Sequence, residues 1–275
     1  MRLASQSIWA LVGSSGYLST IANAAGIVDI GLVFPRNDTT YSPDDNFPIV
    51  FAAQNSKLLE HLKPLIDYRV LNITGPTEDT EVLIDSHREF NLTSASEHDP
   101  YLFWQRVDLQ GEGKFRVIWK PYWSSCGEYN QQIYLARNRT ENNFLVDFEV
   151  RAGGQKVDLV AATNTGNITD CPNKGAAINV TDSTLKALAT KLSAPHETCA
   201  VLGSSSPTPT SNPCKVKIDK ATVESMAAEN LRQDCVGFWA PSHCPKEETG
   251  LANPRFAIAG VSTLAAVFGA ALLLA

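Results

Sequence analysis

Between residues 26 and 163 apolar side chains recur at every second position, in run after run. The runs are Val28-Ile30-Leu32-Phe34, Phe47-Ile49-Phe51-Ala53, Val82-Ile84, Phe103-Val107-Leu109, Phe115-Val117-Trp119 and Phe144-Val146-Phe148-Val150. A period of two with one polar face is the mark of a half-buried antiparallel strand. Turn-forming clusters separate the runs: Pro35-Arg36-Asn37-Asp38, Ser42-Pro43-Asp44-Asp45, Gly75-Pro76, Gly111-Glu112-Gly113 and Gly153-Gly154. Many short strands at this spacing predict a mainly β fold, an antiparallel β-sandwich of immunoglobulin-like form over residues 25–163, with a barrel as the alternative.

The character changes after about residue 163. Residues 164–250 read as a small, disulfide-rich, partly helical segment. Within it 203–213 (GSSSPTPTSNP) is a Ser/Thr/Pro linker. Asp219 is placed to cap a helix of about 220–233, with Val223, Met226, Ala227 and Leu231 as its apolar stripe. The six cysteines, Cys126, Cys171, Cys199, Cys214, Cys235 and Cys244, form an even set and read as three disulfides. Their pairing stays open, except that at least one bridge is expected to close within 199–244. Zinc would want tight C-x2-C pairs, and the nearest cysteines here are Cys235 and Cys244.

Both ends read as processing signals. Met1-Arg2, the apolar Ile8–Val12 and Ala22-Asn23-Ala24 predict a signal peptide over 1–24, cut after Ala24. Residues 251–275 are expected to be a C-terminal hydrophobic anchor signal or a transmembrane segment. Their last twenty, Phe256–Ala275, carry no charge. With no basic flank after them, a glycolipid (GPI) anchor attached at Gly250 is the preferred reading, although the spacer there is short. Six sequons lie between the two ends, at Asn37, Asn72, Asn91, Asn138, Asn167 and Asn179. Together they predict a secreted, heavily glycosylated protein. Asn72 is awkward, since Ile66, Tyr68 and Val70 share its side of a strand, so the strand must end there or the site must stay empty. Asn179 alternates with Ile178 and Val180 and is expected to face outward.

The chain carries 23 Lys and Arg against 29 Asp and Glu. Loss of the ends would remove only Arg2 and Arg255. An acidic chain of this kind is a poor partner for nucleic acid. The five histidines, His61, His87, His98, His196 and His243, match no metal or nucleophile motif. No phosphate loop, no G-x-S-x-G elbow and no cofactor fingerprint is present, so no catalytic residue, cofactor or metal is expected. A glycoside hydrolase needs only two suitably spaced carboxylates, which sequence spacing does not single out among 29 acids. One cluster is suggestive. Trp104, Trp119, Tyr122, Trp123 and Tyr129 crowd around Cys126. A sandwich core accounts for the tryptophans. Tyr122, Trp123 and Tyr129 are the candidates for glycan contact, with Tyr122 and Tyr129 the more exposed pair.

Four stretches carry a resemblance: GIVDIGLVFPRNDTTYSPDDNFPIVFAAQN near the start, WSSC around Cys126, VDLVAATN at 157–164 and TCAVLGSSSPTPTSNPCKVKID. The chain resembles an uncharacterised family of secreted ascomycete proteins, a domain of unknown function found in filamentous fungi. The resemblance implies a fungal extracellular or cell-surface protein with a leader, many glycans and often an apolar C-terminus, and it supplies no activity and no functional residue. The expectation is a non-catalytic surface or wall glycoprotein whose partners are wall glycans or surface proteins. A secreted carbohydrate-binding protein or an unrecognised glycoside-active enzyme is the alternative.

Overall fold

The computed structural model describes residues 24–76, 80–91, 95, 97–164, 171–188, 197–204, 208–236 and 244. The side chains of the leader, Gly250, Asn167 and residues 251–275 lie outside the described set. Among the described residues no helix is long and apolar enough to cross a membrane.

The main unit, which runs to Val157 and from Thr165 to Val216, is a two-sheet β-sandwich. Its strands are β1 Ala24–Phe34, β2 Thr39–Tyr41, β3 Asp44–Gln54, β4 Leu65–Asn72, β5 Glu81–Glu89, β6 Tyr101–Leu109, β7 Gly113–Tyr129, β8 Gln132–Arg139, β9 Phe144–Val150, β10 Gly175–Lys186 and β11 Thr198–Leu202. The first sheet has the order β11-β10-β1-β3-β6. The second has β2-β9-β7-β4-β5, with β8 on the far half of β7. Among the described strand pairs only β2 with β9 is parallel, and an isolated parallel bridge joins Tyr41 to Gln155. The first sheet thus continues past residue 163 to Leu202.

The alternation seen in the sequence becomes the core between the sheets. Val28, Ile30, Leu32 and Phe34 of β1 and Phe47, Ile49, Phe51 and Ala53 of β3 are fully buried. They meet the second sheet through aromatic rings. Phe47 stacks on Phe148 at 5.2 Å, and Phe51 meets Trp119 edge-on at 5.4 Å and Tyr68 at 5.2 Å. Aromatic pairs at these separations add to the burial of their area. The Tyr68 hydroxyl donates to the Gln105 side chain, which gives the buried ring a polar partner across the sheets. The disulfide that joins the sheets, Cys126–Cys199, lies seven residues along β7 from Trp119, roughly 23 Å at strand rise. The Trp119 ring and the bridge are therefore not stacked as in an immunoglobulin domain.

The outer side of the first sheet is covered too. Val33, Val50 and Ala52 point away from the inter-sheet core, yet each is at most 2 % exposed. In register across β10, β1 and β3 stand Gly175, Gly31 and Ala52, a row of minimal side chains. The segment Ser211–Val216 lies across this row. A Cβ on Gly31 would come within 2.2 Å of the Pro213 ring, and one on Gly175 within 2.4 Å of Ser211 Oγ. Asp29 accepts from Ser211 Oγ at 2.5 Å and from the Asn212 N–H at 2.7 Å, while Gln54 Nε2 donates to the Asn212 carbonyl. Cys171–Cys214 ties this strap down covalently. Arg36, itself buried, donates to Cys214 Sγ at 2.8 Å. The end of the expected Ser/Thr/Pro linker is thus ordered structure.

Asn173 is buried beside the strap. Its Nδ2 donates to the carbonyls of Leu32 and Pro35, and its Oδ1 accepts from the Asn37 N–H, which fixes the corner after β1.

The second unit comprises Asp158–Asn164 and the chain from Lys217 onward. Its helices are α1 Leu159–Thr163 and α2 Lys220–Asp234. Asp219 caps α2 as expected, accepting from the Thr222 N–H at 2.7 Å. The apolar stripe does not hold. Met226 is buried, but Ala227 is exposed and Leu231 is 39 % exposed. The two segments are joined at Thr163, whose Oγ1 accepts from the Ile218 N–H and whose carbonyl accepts from Lys217 Nζ. Cys235–Cys244 closes within 199–244, as the spacing suggested.

Trp119→Ala should lower the unfolding free energy by about 3–5 kcal/mol, the range for deleting a packed aromatic ring. Urea titration checks it, and a loss below about 1 kcal/mol would place Trp119 outside the core.

Candidate functional site

The far half of β7 and β8 form a hairpin that runs past the edge of the second sheet, pairing Tyr122–Tyr129 with Gln132–Arg139. Its turn is Asn130-Gln131, both with positive φ (49° and 61°), the two-residue type that suits the twist of antiparallel strands. Cys126–Cys199 anchors the hairpin to β11 of the other sheet.

The three candidate aromatics fall at different places. Tyr122 is half-buried on the outer face of the second sheet, in register with Leu65 and Arg139. Trp123 is half-buried, and its Nε1 is buried without a hydrogen-bond partner. Its polar edge is therefore turned away from solvent and is not presented to a sugar hydroxyl. Tyr129 sits at the tip and is 72 % exposed. Seven residues separate Tyr122 from Tyr129, so the two rings are roughly 20 Å apart and do not form a common platform.

The hairpin instead pairs Tyr129 with Tyr134, which the sequence reading missed. Tyr134 stands opposite Gly127, and its ring covers that glycine, where a Cβ would come within 2.4 Å of it. Residues 127 and 129 share a face, so Tyr129 and Tyr134 lie diagonally on one side of the hairpin. Both are exposed. Aromatic faces held this way can stack on apolar faces of a flat ligand. The available signal was glycine opposite an aromatic residue around a two-residue turn.

The titratable groups with shifted pKa values are engaged in holding the fold. Burial raises Asp29, and the Ser211 and Asn212 hydrogen bonds and the Lys215 charge pull it back by less. Burial lowers Arg36 and raises Tyr41, whose hydroxyl accepts from the Arg36 N–H. Burial also raises Tyr68 and Tyr101. Arg116 and Asp147 form a two-pronged pair at 2.6 Å on the outer face of the second sheet. Among the described residues no group of His, Cys, Asp and Glu is placed to hold a metal ion.

The described sequons differ in setting. Asn91 is exposed, and Asn37 is half-buried, with its Oδ1 accepting from the Asp147 N–H. Asn72 is the last residue of β4. Its side chain turns onto Thr74, and the strand ends there, one of the two outcomes the sequence left open. Asn138 and Asn179 are half-buried with their amides bonded to neighbouring chain.

A family model described as a domain of unknown function, DUF7136, matches residues 23–244, most of the chain. No curated protein and no solved structure matches it.

The Asp29 shift predicts a pH dependence. A carboxyl whose pKa is raised on folding contributes stability that is full below its ordinary value and is lost as pH rises through the raised one. Asp29→Asn removes that loss. The difference in unfolding free energy between variant and wild type should therefore move in the variant's favour as pH rises from 3 to 7, measured by urea titration at each pH. A difference independent of pH would contradict the assignment.

Proposed function

The chain belongs to the DUF7136 family, a domain of unknown function, and we propose that it is a non-catalytic glycoprotein of the cell surface or cell wall of a filamentous fungus. The observation that carries this reading is that all six cysteines are paired, in three disulfides that tie strands, strap and helical segment. Such a set belongs to an oxidising compartment. The sequons agree, and among the described ones Asn37 follows β1, Asn72 ends β4 and Asn91 follows β5. The shifted titratable groups are spent on backbone and side-chain contacts that hold the fold, which favours a scaffold over a catalyst. The protein is extracellular on this reading. It is held at the membrane through its C-terminus, with wall glycans or surface proteins as partners.

Expression of the full chain in a yeast host tests this. The mature protein should begin after Ala24, lose mass on enzymatic deglycosylation and show no free thiol. A retained leader, an unchanged mass and free thiols would overturn it.

Carbohydrate binding is the second reading, and the exposed Tyr129–Tyr134 pair favours it. A glycan array would decide. Binding to a wall polymer that is lost in the Tyr129→Ala/Tyr134→Ala double variant, with the melting temperature unchanged, would favour it over the plain scaffold. No binding to any glycan would leave the scaffold.

A further inference from the structure

We propose that the sequons are not equivalent: in the folded protein Asn72 carries a glycan, whereas Asn138 and Asn179 stay unmodified and serve as structural amides. The inference rests on the secreted-glycoprotein reading and sharpens it.

Glycan transfer joins asparagine Nδ2 to the anomeric carbon of a sugar supplied as a lipid-pyrophosphate-linked oligosaccharide. The bond from that carbon to the pyrophosphate oxygen breaks, and the pyrophosphate leaves with the electron pair. Nδ2 gives up one of its two protons to a base of the transferase. One N–H remains on a nitrogen that now bears a bulky polar chain, which must project into solvent. An acceptor in the folded protein therefore needs an Nδ2 that is not required elsewhere and has room beside it.

Asn138 fails on both counts. It stands opposite Trp123 in the β7–β8 ladder. Its Nδ2 donates to Ser125 Oγ at 2.8 Å and approaches the carbonyls of Ala136 and Trp123 at 3.4 and 3.5 Å. Ser125 is 3 % exposed, so Asn138 is the amide that reaches a buried hydroxyl beside Cys126. A sugar on that nitrogen would stand where these partners converge.

Asn179 is blocked by β11 and the chain after it. Its Nδ2 donates to the Ser204 carbonyl at 2.9 Å, and its Oδ1 is buried without a partner. Gly203 lies against the amide. A Cβ there would sit 2.6–2.9 Å from all three of its outer atoms. The hydroxyl of its sequon is committed too, because Thr181 is 4 % exposed and donates to the Val201 carbonyl at 2.8 Å. The outward position expected from the sequence is real, but the chain at 203–204 covers it.

Asn72 is also half-buried, and its sequon hydroxyl is also engaged, accepting from the Lys114 N–H at 2.9 Å, but its amide is held through the oxygen and not the nitrogen. The Thr74 N–H and hydroxyl both donate to its Oδ1, at 3.0 and 2.6 Å. The carbonyl end of the amide makes the turn, and these bonds do not occupy Nδ2. Beyond the half-buried Ile73, Thr74, Gly75 and Pro76 are exposed, as is Glu81 opposite Asn72 on β5. A chain attached there leaves the sandwich at its rim.

Site-resolved mass spectrometry of the full-length protein, secreted from a glycosylating host, tests the proposal. Deglycosylation in heavy-oxygen water turns each glycosylated asparagine into labelled aspartate. The expected result is label at Asn72 and none at Asn138 or Asn179. Label at Asn138 or Asn179, or an unlabelled Asn72 beside labelled sequons elsewhere, would overturn the proposal and leave the glycoprotein reading standing. Label at no sequon would overturn both. A pair of variants gives an independent readout. Thr140→Ala destroys one sequon while keeping the Asn138 amide, and it should leave gel mobility unchanged. Asn72→Gln should remove one glycan step. A mobility shift in Thr140→Ala, or none in Asn72→Gln, would contradict the assignment.

Discussion

The strap Ser211–Val216 crossing the row Gly175–Gly31–Ala52 is the contact on which the main unit depends. A sheet one strand-layer thick has two faces, and here the central strands β1 and β3 are apolar on both. One face has the second sheet against it. The other holds Val33, Val50 and Ala52 out of water, with the strap seated on it at Gly31 and Gly175, and each valine side chain is worth about 1.5–3 kcal/mol when buried. The row of small residues gives Pro213 and Ser211 room to approach the backbone. Asp29, Gln54 and Cys171 then hold the strap in register. In chain-entropy terms a bridge spanning 43 residues contributes about 4 kcal/mol, a large part of the stability of an ordinary domain.

The Cys126–Cys199 bridge has a different consequence. It spans 73 residues and clamps the projecting hairpin to the opposite sheet. A free two-stranded hairpin is marginal in water. Anchored at Cys126 and braced by the Asn138–Ser125 bond, it presents Tyr129 and Tyr134 on a fixed frame. Stability and presentation thus meet in one element, and an unmodified Asn138 serves both.

Much of the sandwich was legible in the sequence because burial on one face writes itself as alternation. Val28–Phe34, Phe115–Trp119 and Phe144–Val150 read as strands and are strands. Where both faces are covered the pattern differs. Residues 47–53, Phe-Pro-Ile-Val-Phe-Ala-Ala, form a continuous apolar run, and the outward Val50 and Ala52 signalled a second layer that alternation alone does not reveal. Strand β8 was invisible because none of its residues is buried and its turn, Asn130-Gln131, lacks the glycine that usually marks such a hairpin. Strands β10 and β11 lie among sequons and cysteines, whose polar character hid their membership of the first sheet. The aromatic site was half legible. Tyr129 is exposed as read, but its neighbour is Tyr134, because pairing across a hairpin and not proximity in sequence sets which rings share a face.

Hydrogen exchange on Gly31→Val measures the central dependence most directly. A valine there meets the rigid Pro213 ring and must evict the strap. The account predicts faster exchange at 211–216 and across the outer side of β1 and β3, with Trp119 fluorescence unchanged because the core between the sheets is untouched. Exchange at 211–216 that matches the wild type would show that the strap is not seated on Gly31, and the account of the first sheet would fail.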